Sequence, residues 1–491
     1  MVYCFDKTFG AAMMVHVTGE SRYQRLLMAP SLDEIVAAEH PVRVIDAFVA
    51  TLDLRSLKFG KVEAESTGRP PYHPGDLLKL YIYGYLNQMR SSRRLERECV
   101  RNVELHWLVN RITPAFKSIA DFRRDHAAAI TGVCRAFMQF CRGQSLYGGE
   151  LVAIDGSKIE AVASRKKVLT PALLEKRAAA LDAKIAEYLA AMDEADRQEA
   201  ATEAGPTDVA RALAVLQAKR DTVQAQAEAL AEAGLSQTVT SEPDARLMKT
   251  ARHGHQVAYN AQSAVDGKHG LIAAFDLTRD CNDQTQLLPM AEAAKESLAV
   301  ETLTVVADTG YSNGTQGQAC AEAGITAVVP RQTIVNPKNA DLFSRDAFTY
   351  DRARDCWTCP AGETLTLVSV SQPEQKNTYA TPACAACAIK AQCTRGKRRK
   401  VTRHFHEDAR EAMHRRAVED PGWMQRRREL VEHPFGIIKW MMGYPRFLLR
   451  GRRKAKAELA LVVLAFNLKR TITIRGVPLL LAALQPAPAG P

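Results

Sequence analysis

ELVAIDGSKIEAVA, residues 150–163, is where the texture of the chain changes. Leu151–Ile154 is a short apolar run that ends in the polar turn Asp155-Gly156-Ser157, the pattern of a strand reaching the end of a sheet. Moving toward the C-terminus, VAYNAQSAV (257–265) and LIAAFDLT (271–278) read as two further strands. Asp266-Gly267-Lys268 between them suits a hairpin turn. A helix is expected over 283–298, a buried strand over 302–307 (TLTVVA), a helix near 315–323 and a strand over 326–330 (TAVVP). Strands followed by alternating helix and strand place the segment in the α/β class.

The first strand is separated from the others by 171–235, which reads as a coiled-coil-like helical hairpin. Leu181, Ile185, Leu189 and Met192 recur at helical spacing, and Val209, Leu213, Leu216, Val223 and Leu230 continue it beyond the Gly205-Pro206 break. On the N-terminal side, 1–29 forms an extension and 30–142 reads as all helix. Ser31 and Glu34 make a capping box, and His73-Pro74-Gly75-Asp76 opens an apolar, aromatic helix. Ser91-Ser92-Arg93-Arg94 opens a basic one. Short helices with Arg93 and Arg94 near a start suit a helix-turn-helix-like module gripping DNA phosphates.

The 491 residues suggest two to four domains, and 46% hydrophobic residues mark a folded chain. Sixty-six Lys and Arg against 55 Asp and Glu leave a net charge of +11. The excess is concentrated. RGKRRKVTR (395–403), with Arg398, Arg399 and Lys400 at its centre, and RFLLRGRRKAK (446–456) each carry six cations. Two such runs beside one C-terminal segment suit a phosphate-binding surface. No run approaches the length of a membrane span, and the N-terminus lacks the pattern of an export signal, so a cytoplasmic protein is expected.

Eleven Cys residues, five of them within 356–393, favour metal over disulfides in such a compartment. Cys356-x2-Cys359 and Cys384-x2-Cys387 have zinc-ribbon spacing, and Cys393 is a fifth candidate, so four of the five are expected to bind Zn²⁺.

Asp155 and Asp308 each sit where a strand ends, and strand ends face the ligand crevice of an α/β sheet. With a Glu from a helix, they can hold Mg²⁺ or Mn²⁺ ions that activate a nucleophile and stabilise the leaving oxygen of a phosphodiester. The Glu is expected at 432. Arg428, Glu432 and Lys439 stand at i, i+4 and i+11, which shares one face of a continuous helix, and Pro434 must kink it. That helix is expected to restart after Pro421-Gly422 and cover 424–442, with a last apolar helix over 455–470. Taken singly, Asp155 also reads as a turn residue, Asp308 as a cap and Glu432 as half of an ion pair. Asp266, Asp276, Asp280 and Asp283 are placed in turns, loops or at a strand end, outside this centre.

These residues lie in segments that resemble the bacterial insertion-sequence DDE transposases of the IS4/IS5-like superfamily, nearest its IS eleven-eighty-two-like group. YHPGDLLKLYIYGYLNQMRSSRRLERE (72–98) and IADFRRDH (119–126) resemble the N-terminal part of that family. VAIDGSKIEA (152–161), VAYNAQSAVDGKHGLIAAFDLT (257–278) and VVADTGYSN (305–313) resemble its core. CPAG (359–362), CAAC (384–387) and VEHPFGIIKWMMGYPRFLLRG (431–451) resemble its C-terminal half.

The resemblance implies a ribonuclease-H-like core over 150–330, interrupted by the helical hairpin and followed by a zinc-ribbon-like insertion over 345–405. The C-terminal helical part of the core would then cover 406–475, ahead of a disordered tail over 476–491. It implies catalytic Asp155, Asp308 and Glu432 with Mg²⁺. It also implies a Tyr-x2-Arg-x3-Glu-x6-Lys signature in which Arg428, Glu432 and Lys439 match and Gln425 replaces the Tyr. Cys359, Cys384, Cys387 and Cys393 fit the family pattern as well as Cys356 does. The implied activity is metal-dependent cleavage and strand transfer of double-stranded DNA, at terminal inverted repeats and target, by a dimer on DNA. The alternative is a catalytically silent DNA-binding protein derived from a transposase.

Overall fold

A computed structural model of the chain describes residues 28, 30–63, 70–198, 207–250, 254–331, 341–441 and 443–485. Nearly all of the expected N-terminal extension lies outside them, as do the last six residues. The capping box forms as expected, with Ser31 N donating to Glu34 Oε2 at 2.6 Å at the start of α1 (Leu32–Ile35). Proline in the first turn starts α2 (Pro41–Ala50) and α3 (Pro74–Leu86), where its missing N–H costs no hydrogen bond. Four more helices follow: α4 (Ser92–Arg101), α5 (Val103–Leu108), α6 (Phe116–Asp125) and α7 (Ala127–Gly143). In α7 the buried stripe Ile130, Val133, Cys134, Phe137, Met138 and Cys141 has the period of one helix face.

The strand read at 151–154 runs on through the turn-like Asp-Gly as β1 (Leu151–Glu160), because β5 pairs with it over its length. A two-residue pair, β2 (Val168–Leu169) with β3 (Thr238–Val239), closes the base of a hairpin of α8 (Pro171–Gln198) and α9 (Thr207–Glu232). Leu169, Leu174 and Leu230 are buried at that base, whereas Leu189, further out, is 44% exposed. The chain returns through β4 (Arg246–Thr250), β5 (Gly254–Asp266) and β6 (Ile272–Thr278). It then alternates: α10 (Leu287–Leu298), β7 (Leu303–Val306), α11 (Gly314–Glu322) and β8 (Ile325–Val328). β4 and β6 pair with successive stretches of one edge of β5, and across its other edge the sheet continues β5-β1-β7-β8, with β1, β7 and β8 mutually parallel. Helix α10 begins four residues later than expected, leaving Asp283 in the loop before it.

The Cys-rich segment is a separate antiparallel sheet of β9 (Thr349–Asp351), β10 (Cys356–Thr358), β11 (Thr364–Ser371), β12 (Lys376–Ala380) and, after the short α12 (Lys390–Cys393), β13 (Lys400–His404). It has a small core of its own around Phe348, Trp357, Leu365 and Tyr379. Helices α13 (Glu407–Glu419) and α14 (Gly422–Gly436) lead back to the main sheet. There a π-helical turn, Ile437–Met441, follows Pro434 in the stretch expected to continue as helix to 442.

Helix α15 (Arg452–Arg475) is buried nearly all round through Ala455–Leu468, because it lies between α3 and α7 on one side and β6 on the other. Asn467 is tolerated there because its amide pairs with both the N–H and C=O of Ile272, at 2.9 and 2.8 Å. Glu458, fully buried in the same helix, faces Arg123 of α6 at 3.2 Å. The main core therefore runs unbroken from Val36 to Leu484. The expected disordered tail is corrected over α16 (Val477–Leu484), whose Val477, Leu480 and Leu484 are buried, with the helix packed on α2. Among the described residues no helix is long and apolar enough to cross a membrane.

Candidate active site

In the parallel pair β1/β7, Ala153 stands opposite Val306, and carrying that register two residues further sets Asp155 level with Asp308. β7 ends at Val306, and Asp308 caps the 3-10 turn Thr309–Tyr311, its Oδ1 accepting from Gly310 N at 2.8 Å. The two carboxylates share one cation. Arg427 Nη2, from α14, donates to Asp155 Oδ1 at 2.7 Å and to Asp308 Oδ2 at 3.4 Å. Burial pushes the Asp155 carboxyl up to about 6. Arg427 opposes that rise, and the charges of Asp308 and Asp283 add to it.

Asp283 is the acid that sequence reasoning misplaced. Its Oδ1 accepts from Asn260 Nδ2 and Gln262 Nε2, both at 2.7 Å, and from Lys158 Nζ at 3.4 Å. The Tyr311 hydroxyl in turn donates to Gln262 Oε1. Its loop position set it outside the expected centre; the donors that draw it inward sit on β1 and β5, far away in sequence. Gly156 makes room for the network. A Cβ there would stand 2.4 Å from Gln262 Nε2 and 2.7 Å from Asp283 Oδ1. Asn260 Oδ1, wholly buried and 3.1 Å from the same point, has no hydrogen-bond partner among the described residues.

The helix expected to supply Arg428, Glu432 and Lys439 on one face does not keep that face. Arg428 and Glu432, in α14, are both exposed, whereas Lys439, in the π-helical turn, is half-buried. Lys439 Nζ reaches β1, donating to Ser157 Oγ and to Lys158 O at 3.0 Å. Arg428 is exposed and folds back on Met424 O at 3.3 Å. Glu432 is exposed. The inward cation is Arg427. The signal for it was its place four residues before Val431 and eleven before Ile438, both buried, on the apolar stripe of the helix.

Cys359, Cys384, Cys387 and Cys393 line one cavity with Phe348 and Leu365. Burial pushes the Cys393 thiol up; Arg399 opposes this, while Cys384, Cys359 and Cys387 add to it. Cys356 is not part of that lining. It is buried on β10, opposite Asp351. Among the described residues no three His, Cys, Asp or Glu side chains are placed as a ready-made metal site. At the aspartates two carboxylates share a guanidinium, and their oxygens are the donor type a hard cation takes. The four thiols fit a zinc donor set in type and number.

The expected DNA-facing cations fare unequally. Arg94, Arg398 and Lys400 are exposed. Arg93 is exposed and stacks over Phe116 at 5.0 Å. Arg399 is tied to the Cys-rich sheet, over Phe348 and onto Cys393 O at 3.2 Å.

Two family models match the chain. One, described as a transposase domain (DUF772), covers residues 30–125; the other, a transposase DDE domain, covers 358–472. The second contains Glu432 and Lys439, while Asp155 and Asp308 lie between the two matches. No curated protein matches the sequence. Among solved structures, a cryo-electron microscopy structure of the piggyBac transposase synaptic complex with hairpin DNA is similar at 9% identity and a TM-score of 0.33. That alignment covers 91% of this chain and 79% of that one.

Proposed function

We propose, for a chain that belongs to the insertion-sequence DDE transposases, that it cuts and rejoins double-stranded DNA with Asp155 and Asp308 as the strand-borne carboxylates of its catalytic centre and Glu432 as the helix-borne one. The observation that carries this reading is the level placement of Asp155, on β1, and Asp308, just past the end of the parallel strand β7, sharing one positive group. The strand order β6-β5-β1-β7-β8, three antiparallel strands and then two parallel ones, supports a ribonuclease-H-like core. Such a core is expected to present acids at these strand ends.

Bound Mg²⁺ or Mn²⁺ would supply charge for activating the attacking water or 3′-hydroxyl and for stabilising the departing oxygen. The chain's own residues do the rest. Asp155 and Asp308 hold the cation side of the site, and burial on β1 and β7 keeps their strand ends rigid. Lys439, fastened beside Ser157, places a positive group within reach of the scissile backbone, and Arg428, exposed on the same helix, meets phosphates further out. Arg93, Arg94, Arg398, Arg399 and Lys400 extend the basic surface along the terminal inverted repeat and the target. Cys359, Cys384, Cys387 and Cys393 hold one structural Zn²⁺ that braces the Cys-rich sheet, and Cys356 is a core residue. The chain acts in the cytoplasm as a dimer on DNA, one protomer to each end.

The test is cleavage and strand transfer on labelled inverted-repeat ends with Mg²⁺. Asp308→Asn and Glu432→Gln should each abolish both steps while leaving DNA binding in place. Wild-type activity in either variant refutes that residue's role, and binding without any cleavage by the wild type would make this a silent DNA-binding protein.

A further inference from the structure

The site contains a cation of its own, and that has a consequence for how a metal enters. Arg427 reaches both aspartates through the same Nη2 nitrogen. Its Nε is buried and has no partner among the described residues. One side-chain nitrogen thus serves both carboxylates while part of the fork's hydrogen-bonding capacity is unused. A guanidinium between the carboxylates and a divalent cation between the same carboxylates exclude each other, because like charges at such a separation repel strongly in a partly buried site.

We propose that Arg427 is an exchangeable counter-ion: it holds Asp155 and Asp308 together in the metal-free chain and moves to a DNA phosphate when the divalent cation takes its place. The guanidinium fork suits a phosphate as well as it suits a carboxylate. Its position on α14, one helix with the exposed Arg428, lets the side chain swing outward without moving the strands. The consequence is coupling. DNA draws Arg427 away and so tightens the cation, and by reciprocity the cation tightens DNA. Without DNA the guanidinium keeps the centre poorly loaded.

This rests on Asp155 and Asp308 being the cation ligands, and the experiment separates the two ideas. Mn²⁺ binding to the full chain is followed by electron paramagnetic resonance, with and without a short non-specific DNA duplex whose own Mn²⁺ uptake is subtracted. For the wild type, weak binding should tighten about ten-fold on adding duplex, a coupling of the usual allosteric size. For Arg427→Gln, Mn²⁺ should bind about ten-fold more tightly than to wild type without DNA, and the duplex should add little. Arg427→Lys, which keeps the charge but loses the fork, should fall between them, and it serves should Arg427→Gln fail to fold. Unchanged or weaker Mn²⁺ binding by the Gln variant, or a duplex effect as large as in the wild type, overturns the exchange. If Asp155→Asn and Asp308→Asn leave Mn²⁺ binding unaffected, the assignment of the centre itself fails instead.

Discussion

Replacing Asp155 by Asn should stabilise the metal-free protein. The Asp155 side chain is 22% exposed, and burial raises its carboxyl from 3.8 to about 6 despite Arg427. The folded chain therefore holds this proton more tightly than the unfolded chain does. The stability this confers is complete below 3.8 and is lost as pH rises through about 6, where the buried carboxylate must ionise. A rise of that size corresponds to about 3 kcal/mol at about pH 7.5, falling to about 1 kcal/mol at about pH 4.5. Asn mimics the protonated acid in shape and charge, so Asp155→Asn should recover up to that amount.

Urea unfolding in the presence of a chelator, at about pH 7.5 and about pH 4.5, measures the gap as a change in midpoint at constant slope. Excess Mg²⁺ should narrow or reverse it, since only the wild-type carboxylate gains a bound cation. The reasoning is refuted if Asp155→Asn is no more stable than wild type at the higher pH. It is also refuted if the gap stays the same size at both pH values.

Further outcomes follow from the same packing. Gly156→Ala drives a methyl into Gln262 and Asp283 and should cost about 1–3 kcal/mol in urea unfolding, with a fall in strand transfer beyond that expected from stability. Serine at any of Cys359, Cys384, Cys387 or Cys393 should lower bound zinc measured by elemental analysis, while Cys356→Ser should keep it. Arg123→Met leaves Glu458 buried without its counter-charge and should destabilise the protein by about 3–5 kcal/mol in urea unfolding. Lys439→Ala should reduce the salt dependence of DNA binding by about one unit in the slope of log K against log salt, a loss of one phosphate contact.

What the sequence determined by itself is whatever local period and local chemistry encode. Apolar alternation marked β1, β5, β6, β7 and β8, and the change of period at 150 separated helices from sheet. Ser31 and Glu34 specified their own cap, since both partners lie within one turn. Asp155 and Asp308 were legible as candidates because each follows a short apolar run, and the parallel pairing of β1 with β7 brings the two level, although β1 runs on past Asp155.

Tertiary structure decided what depends on register or on partners remote in the chain. The packing of α14 through Val431 and Ile438 fixed which side of that helix faces the sheet, so the cation between the aspartates is Arg427 and not Arg428. Asp283 became part of the site because Asn260 and Gln262, on a strand more than twenty residues away, hold it there. Cys356 and Cys359 share one spacing motif, yet strand β10 buries the first in the sheet and sends the second to the cavity. Spacing gives candidates; packing sets the direction in which each side chain points, and chemistry at a site follows direction.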